Sequence, residues 1–300
     1  TNHLFAGDIR DVDTKSIPRH DLLLAGFPCQ PFSLAGVSKK NSLGKSHGFD
    51  CKIQGTLFFE IARILEHHRP KAFLLENVKN LKSHDKGQTF ETILDVLENK
   101  LGYKVQHRII NAKSFVPQNR QRIYIVGFRE ENNFNFDDLI IPDISDGPIL
   151  SSVLHPEDGS ETFEEPYTIP DHSKVNEKYT ITDKLWDYLQ MYEKKHRAKG
   201  NGFGFGLCKH EDVARTLSAR YHKDGAEILI QEEGWERPRK ITIKEGQALM
   251  GFTPEYAEKY GFDDGFPMPV SNHQAYKQLG NAVVPGVVED IARIIRNILG

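Results

Sequence analysis

Between Leu22 and Phe128, short apolar runs alternate with segments of helical spacing, and this rhythm restricts the possible folds more than any other feature. The run Leu22–Gly26, ending at Pro28, predicts a buried strand. Leu57, Ile61, Ile64 and Leu65 recur at helical spacing, and Pro70 closes that helix. Ala72–Leu75 predicts a second buried strand, and Phe90, Ile93, Leu94 and Leu97 a second helix ended by Gly102. Arg122–Phe128 predicts a third strand, apolar on both faces. Such alternation implies an α/β fold with a parallel sheet covered on both sides.

The rhythm stops near residue 140. Pro142, Gly147, Pro148, Pro156, Gly159, Pro166 and Pro170 are expected to break any long element, and no α/β pattern resumes until about residue 237. The chain then returns to its first style, with a helical stripe at Ile291, Ile294, Ile295 and Ile298. The expected layout is a domain over 1–145, an inserted loop-rich domain over 146–236, and a return to the first domain over 237–300. At 38% hydrophobic and 27% charged residues the composition suits a globular enzyme rather than a membrane protein, and no apolar run approaches ~20 residues. No signal peptide is expected. Three scattered cysteines, Cys29, Cys51 and Cys208, suggest neither a disulfide framework nor a zinc site. The thirteen histidines show no metal-ligand spacing, so no metal is expected. A reducing cytoplasm is the expected setting.

The net charge of −3 is uninformative, but its distribution is not. Lys194–Lys223 holds eight Lys/Arg against Glu211 and Asp212, and Val37–Lys52 holds four lysines against Asp50. Neutralising phosphates takes a local basic surface, not a basic total, although two solvated loops would read the same way.

Three motifs carry chemistry. Gly26-Phe27-Pro28-Cys29-Gln30-Pro31-Phe32-Ser33 follows a strand directly, where open α/β sheets bind their ligands. Flanking prolines and the polar loop beyond favour a presented thiol at Cys29 over a small core residue. Glu76-Asn77-Val78 follows the next strand; Glu76 either caps a helix or serves as an acid beside that thiol. In Gln118-Asn119-Arg120-Gln121-Arg122, two arginines two residues apart at a strand start are expected to point the same way. They would form surface ion pairs or hold a carboxylate or base carbonyl with a fork of donors.

In their order, Gly7-Asp8-Ile9, Pro28-Cys29-Gln30, Glu76-Asn77-Val78, Gln118-x-Arg120-x-Arg122, Arg239–Glu245 with Met250-Gly251-Phe252, and Gly280-Asn281-Ala282-Val283 resemble the motif set of the cytosine-C5 DNA methyltransferases. The resemblance covers nearly the whole chain, and its least similar stretch falls where that family keeps its target-recognition domain. It implies a Rossmann-like sheet using S-adenosylmethionine (SAM) as methyl donor, with the inserted smaller domain reading DNA. It further implies Cys29 as nucleophile, Glu76 as acid toward the ring, Arg122 on the base carbonyl and Arg120 nearby. Asp8, Pro28, Leu57 and Asn281 fall at positions used around SAM. Gln30, Ser33, Lys39 and Lys40 fall in a DNA-facing loop, and Thr216, Arg220 and Lys223 in the recognition domain; Phe203 and Phe205 are expected in the core.

Two departures stand out. Ala282 lacks a hydroxyl that the family can place there. The glycine-rich turn and ribose-binding acid expected ahead of Gly7 are absent, so weak SAM binding is expected. Leu34–Gly44 and the glycine-rich run Gly200–Gly206 resemble the Dcm/NlaX-type modification methylases, which act on the inner cytosine of CCWGG or CCNGG, and this implies double-stranded DNA as substrate and a cognate restriction endonuclease as possible companion. Two rival readings are a transfer-RNA cytosine methyltransferase and a catalytically silent DNA-binding module.

Overall fold

A computed structural model describes residues 7–28, 57–200, 204–262 and 265–300. The chain divides into two compact units, one comprising Thr1–Ile110, Gln121–Leu139 and Ile291–Gly300, the other Asn111–Arg120 and Ile140–Asp290.

In the first unit, β1 (Leu22–Gly26), β2 (Ala72–Val78), β3 (Lys104–Asn111) and β4 (Gln121–Phe128) form a sheet in the order β1-β2-β4-β3. β1 and β2 run parallel, with Gly26 opposite Glu76. β2 and β4 run antiparallel, with Val78 opposite Arg122 and Phe73 opposite Gly127. The expectation of a parallel sheet is therefore corrected: the sheet is mixed, as α/β sheets that carry a reversed strand often are. β3 escapes a search for apolar runs because it alternates. Lys104, Gln106 and Arg108 interrupt its apolar residues, and much of the strand is exposed or half-buried. β1 is also less buried than expected, with Leu24 56% exposed. Its only strand neighbour among the described residues is β2.

Helix α1 (Leu57–His68) buries Phe58, Ile61, Ala62, Ile64 and Leu65, one stripe at helical spacing. It ends at Arg69, whose φ is 49°, followed by Pro70. Helix α2 (Gln88–Asp95) continues through a π turn at Val96–Lys100 and stops before Gly102, which takes φ 73°. Both helices pack on the central strands in a core containing Phe58, Leu65, Phe73, Leu75, Ile93, Leu97, Ile123 and Ile125.

The second unit contains three two-residue strands, β5 (Leu207–Cys208), β6 (Leu229–Ile230) and β7 (Arg239–Lys240), ordered β5-β6-β7. It also holds a 15-residue helix, α3 (Asp183–Arg197), inside the stretch expected to contain no long element. The correction has a local cause. Thr182 accepts a hydrogen bond from the Leu185 amide, and Leu185, Trp186 and Leu189 pack against Leu229 and Phe205. Lys194, Lys195, His196 and Arg197 lie in the last turn, where the helix dipole favours cations. The many charged residues hid a narrow apolar stripe. Phe205 joins the packing as expected, with its ring 4.9 Å from that of Trp186, while Phe203 lies outside the described residues.

The remaining helices are α4 (Ile243–Leu249), α5 (Pro254–Lys259), α6 (Asn272–Asn281) and α7 (Pro285–Leu299). In α7, Ile291, Ile294 and Ile295 are buried along the predicted stripe. No described helix is long and apolar enough to cross a membrane, and no described cluster of His, Cys, Asp or Glu is arranged to hold a metal ion.

Candidate active site

The site in the first unit follows from sheet register. Because β1 and β2 are parallel neighbours, their carboxyl ends share one edge, with Glu76 across from Gly26. Arg122 lies two residues from Tyr124, the partner of Glu76 on β4, so it projects from the same face as Glu76. The Arg122 Nε donates to Glu76 Oε1 at 3.0 Å, and the two side chains are only 13% and 16% exposed. Water therefore screens the pair weakly, and the guanidinium keeps the carboxylate in a defined orientation.

Asn77 is 2% exposed, and its Nδ2 donates to the Phe27 carbonyl at 2.7 Å, while its Oδ1 accepts from the Val78 amide. The segment running into Pro28 is thus tied to the end of β2. Phe27 packs its ring 5.6 Å from Phe58, and Pro28 is exposed. Cys29, Gln30, Ser33, Lys39 and Lys40 lie outside the described residues.

Asp8 caps the turn Ile9–Asp11 and binds Arg10. Hydrogen bonds from the Arg10 side chain and backbone hold its carboxyl at about 2, so it is ionised at neutral pH. Arg63 of α1 anchors this turn by donating to the carbonyls of Ile9 and Val12, both at 3.0 Å. The half-buried Leu57 opens α1 and packs on the core.

In the second unit, Arg120 is 1% exposed and donates to the carbonyls of Leu217 (2.9 Å), Gly280 (2.9 Å) and Ala282 (2.7 Å). Among the described residues the two arginines take different partners, carbonyls for Arg120 and Glu76 for Arg122. Arg120 precedes β4, so strand alternation does not govern it. Two of its partners, Gly280 and Ala282, flank Asn281, the exposed last residue of α6. Gly280 lies against the backbone of Ser218 and Ala219, and a Cβ there would meet Ala219 N at 2.2 Å. Gln118, fully buried, donates to the Leu249 carbonyl and accepts from the Leu217 amide. Thr216 donates its hydroxyl to the Asn119 carbonyl at 2.6 Å, so it braces the Gln118–Arg120 segment. Arg220 and Lys223 are exposed.

Asn77, Arg63 and Gln118 were not among the expected site residues. Asn77 and Gln118 stand inside quoted motifs, so a signal for them existed; Arg63 carries none. Cys208 is 5% exposed, and burial pushes its thiol up to about 11, which fits a structural cysteine.

The ordered motifs find their counterpart among known proteins. The family described as C-5 cytosine-specific DNA methylase matches residues 1–297. The DNA-cytosine methyltransferase of Escherichia coli K12 is 44% identical over 98% of this chain, which spans about two thirds (67%) of that protein. The type II methyltransferase M.NlaX of Neisseria lactamica is 46% identical over 95% of the chain and 79% of its own length. Among solved structures, S. pombe Dnmt2 methyltransferase superposes with a TM-score of 0.62 at 16% identity, covering 97% of this chain and 82% of that one. The Entamoeba histolytica methyltransferase EhMeth gives 0.63 at 16% identity, with 100% and 84% coverage. These two carry the fold, the α/β methyltransferase sheet, while the match of 297 residues and the identities above 40% carry the family. With Glu76 and Arg122 paired where two strand ends meet, this chain belongs to the C-5 cytosine-specific DNA methylases.

Proposed function

We propose that the chain transfers a methyl group from SAM to C5 of a flipped cytosine in double-stranded DNA, the inner cytosine of CCNGG or CCWGG, within a type II restriction-modification setting. The observation that supports this most is the Glu76–Arg122 pair opposite Gly26, at the end of the strand that leads into Cys29. Cytosine C5 is a poor nucleophile, so the Cys29 thiolate first adds at C6. Glu76, once protonated, supplies that proton to N3 as negative charge grows in the ring, and Arg122 holds the O2 carbonyl while orienting Glu76. SAM supplies an electrophilic methyl group on sulfonium. Loss of the C5 proton to a base, return of the N3 proton to Glu76 and expulsion of Cys29 restore the aromatic ring. A stacked cytosine cannot present C6, N3 and O2 to such a cleft, hence the flipped base.

The residues assigned to SAM suit it chemically. Asp8 is an ionised acceptor for the adenine side, Pro28 and Leu57 offer apolar surface, and Asn281 has an exposed amide. Arg120 acts here as a positioning residue, through the carbonyls on either side of Asn281. Gln30, Ser33, Lys39 and Lys40 are assigned to DNA beside the flipped base, and Thr216, Arg220 and Lys223 to the recognition part, residues 146–236. The 44–46% identity to proteins named as DNA-cytosine and type II methyltransferases supports DNA as substrate and a cognate endonuclease as companion.

The test is transfer of labelled methyl from SAM to a CCNGG duplex, a scrambled duplex and tRNA. Label confined to the CCNGG duplex, and lost in Cys29→Ser, is the expected result. Equal labelling of the scrambled duplex would remove the target assignment, and labelling of tRNA alone would replace the substrate.

A further inference from the structure

The second unit contains a cavity of about 280 Å³ that plays no part in the chemistry above. Its lining includes Lys178, Lys240, His222, His273, Asn272 and Tyr179, and none of its lining residues is acidic. The His222 and His273 rings lie 3.8 Å apart. The His222 Nδ1 donates to the Ala219 carbonyl, which leaves Nε2 as the ring nitrogen available to a ligand. Lys178 holds its ammonium 5.3 Å from the centre of the Tyr179 ring. Neither lysine forms an ion pair among the described residues. Burial pulls the Lys240 ammonium below the usual lysine range, and the charge of Asp224 offsets part of that effect.

Tyr179 is 4% exposed and lends its ring, and Tyr276 lies in the same wall with its hydroxyl donating to the Ile241 carbonyl. Asn272 and His273 form the first turn of the ten-residue α6, so the positive end of the helix dipole adds to the two ammonium groups.

We propose that this cavity seats a phosphate group, carried on the backbone of bound DNA. Two ammonium groups, two imidazoles and an amide exceed what the two oxygens of a carboxylate can occupy, and they suit the oxygens of a phosphate. The volume is several times the ~30 Å³ of one water, so the sugar next to the phosphate also fits against the aromatic walls. Arg220 and Lys223 are exposed on the segment that carries His222. The DNA source rests on the proposed function; the phosphate chemistry does not.

The experiment follows the ring signals of His222 and His273 by NMR in the whole chain, titrated with inorganic phosphate and, separately, with a CCNGG duplex. In parallel, duplex affinity is measured against salt for the parent chain and for Lys178→Gln/His273→Gln, both exposed positions, with the melting temperature checking that the variant folds. Shifts of both rings with phosphate and with duplex are expected, and the variant's slope of log K against log salt is expected to be smaller by about 1. Shifts with phosphate alone and an unchanged slope would support the phosphate site while making free phosphate its source. Silence of both rings in both titrations would overturn the proposal. Methylation of the duplex with silent rings would sink this inference alone, and ring shifts without methyl transfer would sink the proposed activity alone.

Discussion

Glu76 and Arg122 illustrate how little freedom the residues of this site have. Each is mostly buried and each partners the other, so removing one costs the second a charged partner. Glu76→Gln keeps the shape but cannot supply the proton, and methyl transfer is expected to fall roughly 10²–10⁴-fold in kcat. A loss under tenfold would remove Glu76 from the acid role. Gly280 is constrained by space rather than by chemistry. A Cβ there would lie 2.2 Å from the Ala219 nitrogen and 2.4 Å from the Ser218 carbonyl oxygen, backbone atoms that cannot swing aside. Gly280→Ala is expected to cost about 1–3 kcal/mol, a fall of several degrees in melting temperature that differential scanning calorimetry would read. An unchanged melting temperature would mean that the two backbones separate easily.

At the scale of elements, the junction of β7 and α4 is held by charge. Arg239 is fully buried and binds Glu232 at 2.7 Å and both oxygens of Glu245 at 2.8 and 2.9 Å. Glu245 also closes a capping box with Thr242 at the start of α4. Burial alone would raise the Glu245 carboxyl. The charge and hydrogen bonds of Arg239, with His155 and the Thr242 amide, outweigh burial and hold it below the usual glutamate range. A carboxyl whose folded pKa is depressed adds stability that is fully present above its unfolded value, about 4.3. That stability is lost as pH falls through the lower folded value. Denaturant midpoints measured between pH 6 and pH 3 should therefore drop more steeply below about pH 4.3 in the parent chain than in Glu245→Gln. Parallel slopes would show that Glu245 does not carry this dependence.

For the molecule as a whole, the proposed chemistry needs a thiolate, an acid and a sulfonium methyl donor, and no step calls for a Lewis acid. Methyl transfer is accordingly expected to continue undiminished in excess EDTA, assayed with labelled SAM; a loss restored by added metal would mean that the mechanism lacks a component. The two compact units do not follow chain order. Arg120 and Arg122, two residues apart, fall in different units, one bracing the carbonyls around Asn281 and the other paired with Glu76.

Much of this was legible in the sequence, because it depends on local patterns. Helical spacing in α1 and α7, the stops at Pro70 and Gly102, and motifs placed at the carboxyl ends of β1 and β2 all reflect interactions within a few residues. The order of the motifs carried the family in the same way. What only the tertiary structure decided depends on partners distant in the chain. The reversed direction of β4, the half-polar strand β3 and helix α3 within a proline-broken stretch are settled by packing that no short window contains. Arg120 is the clearest case. Its residue type announced a charge, but carbonyls 97, 160 and 162 residues away determined its role. The physical reason is that a buried guanidinium must satisfy its donors wherever acceptors are found, and only the folded chain brings those acceptors together.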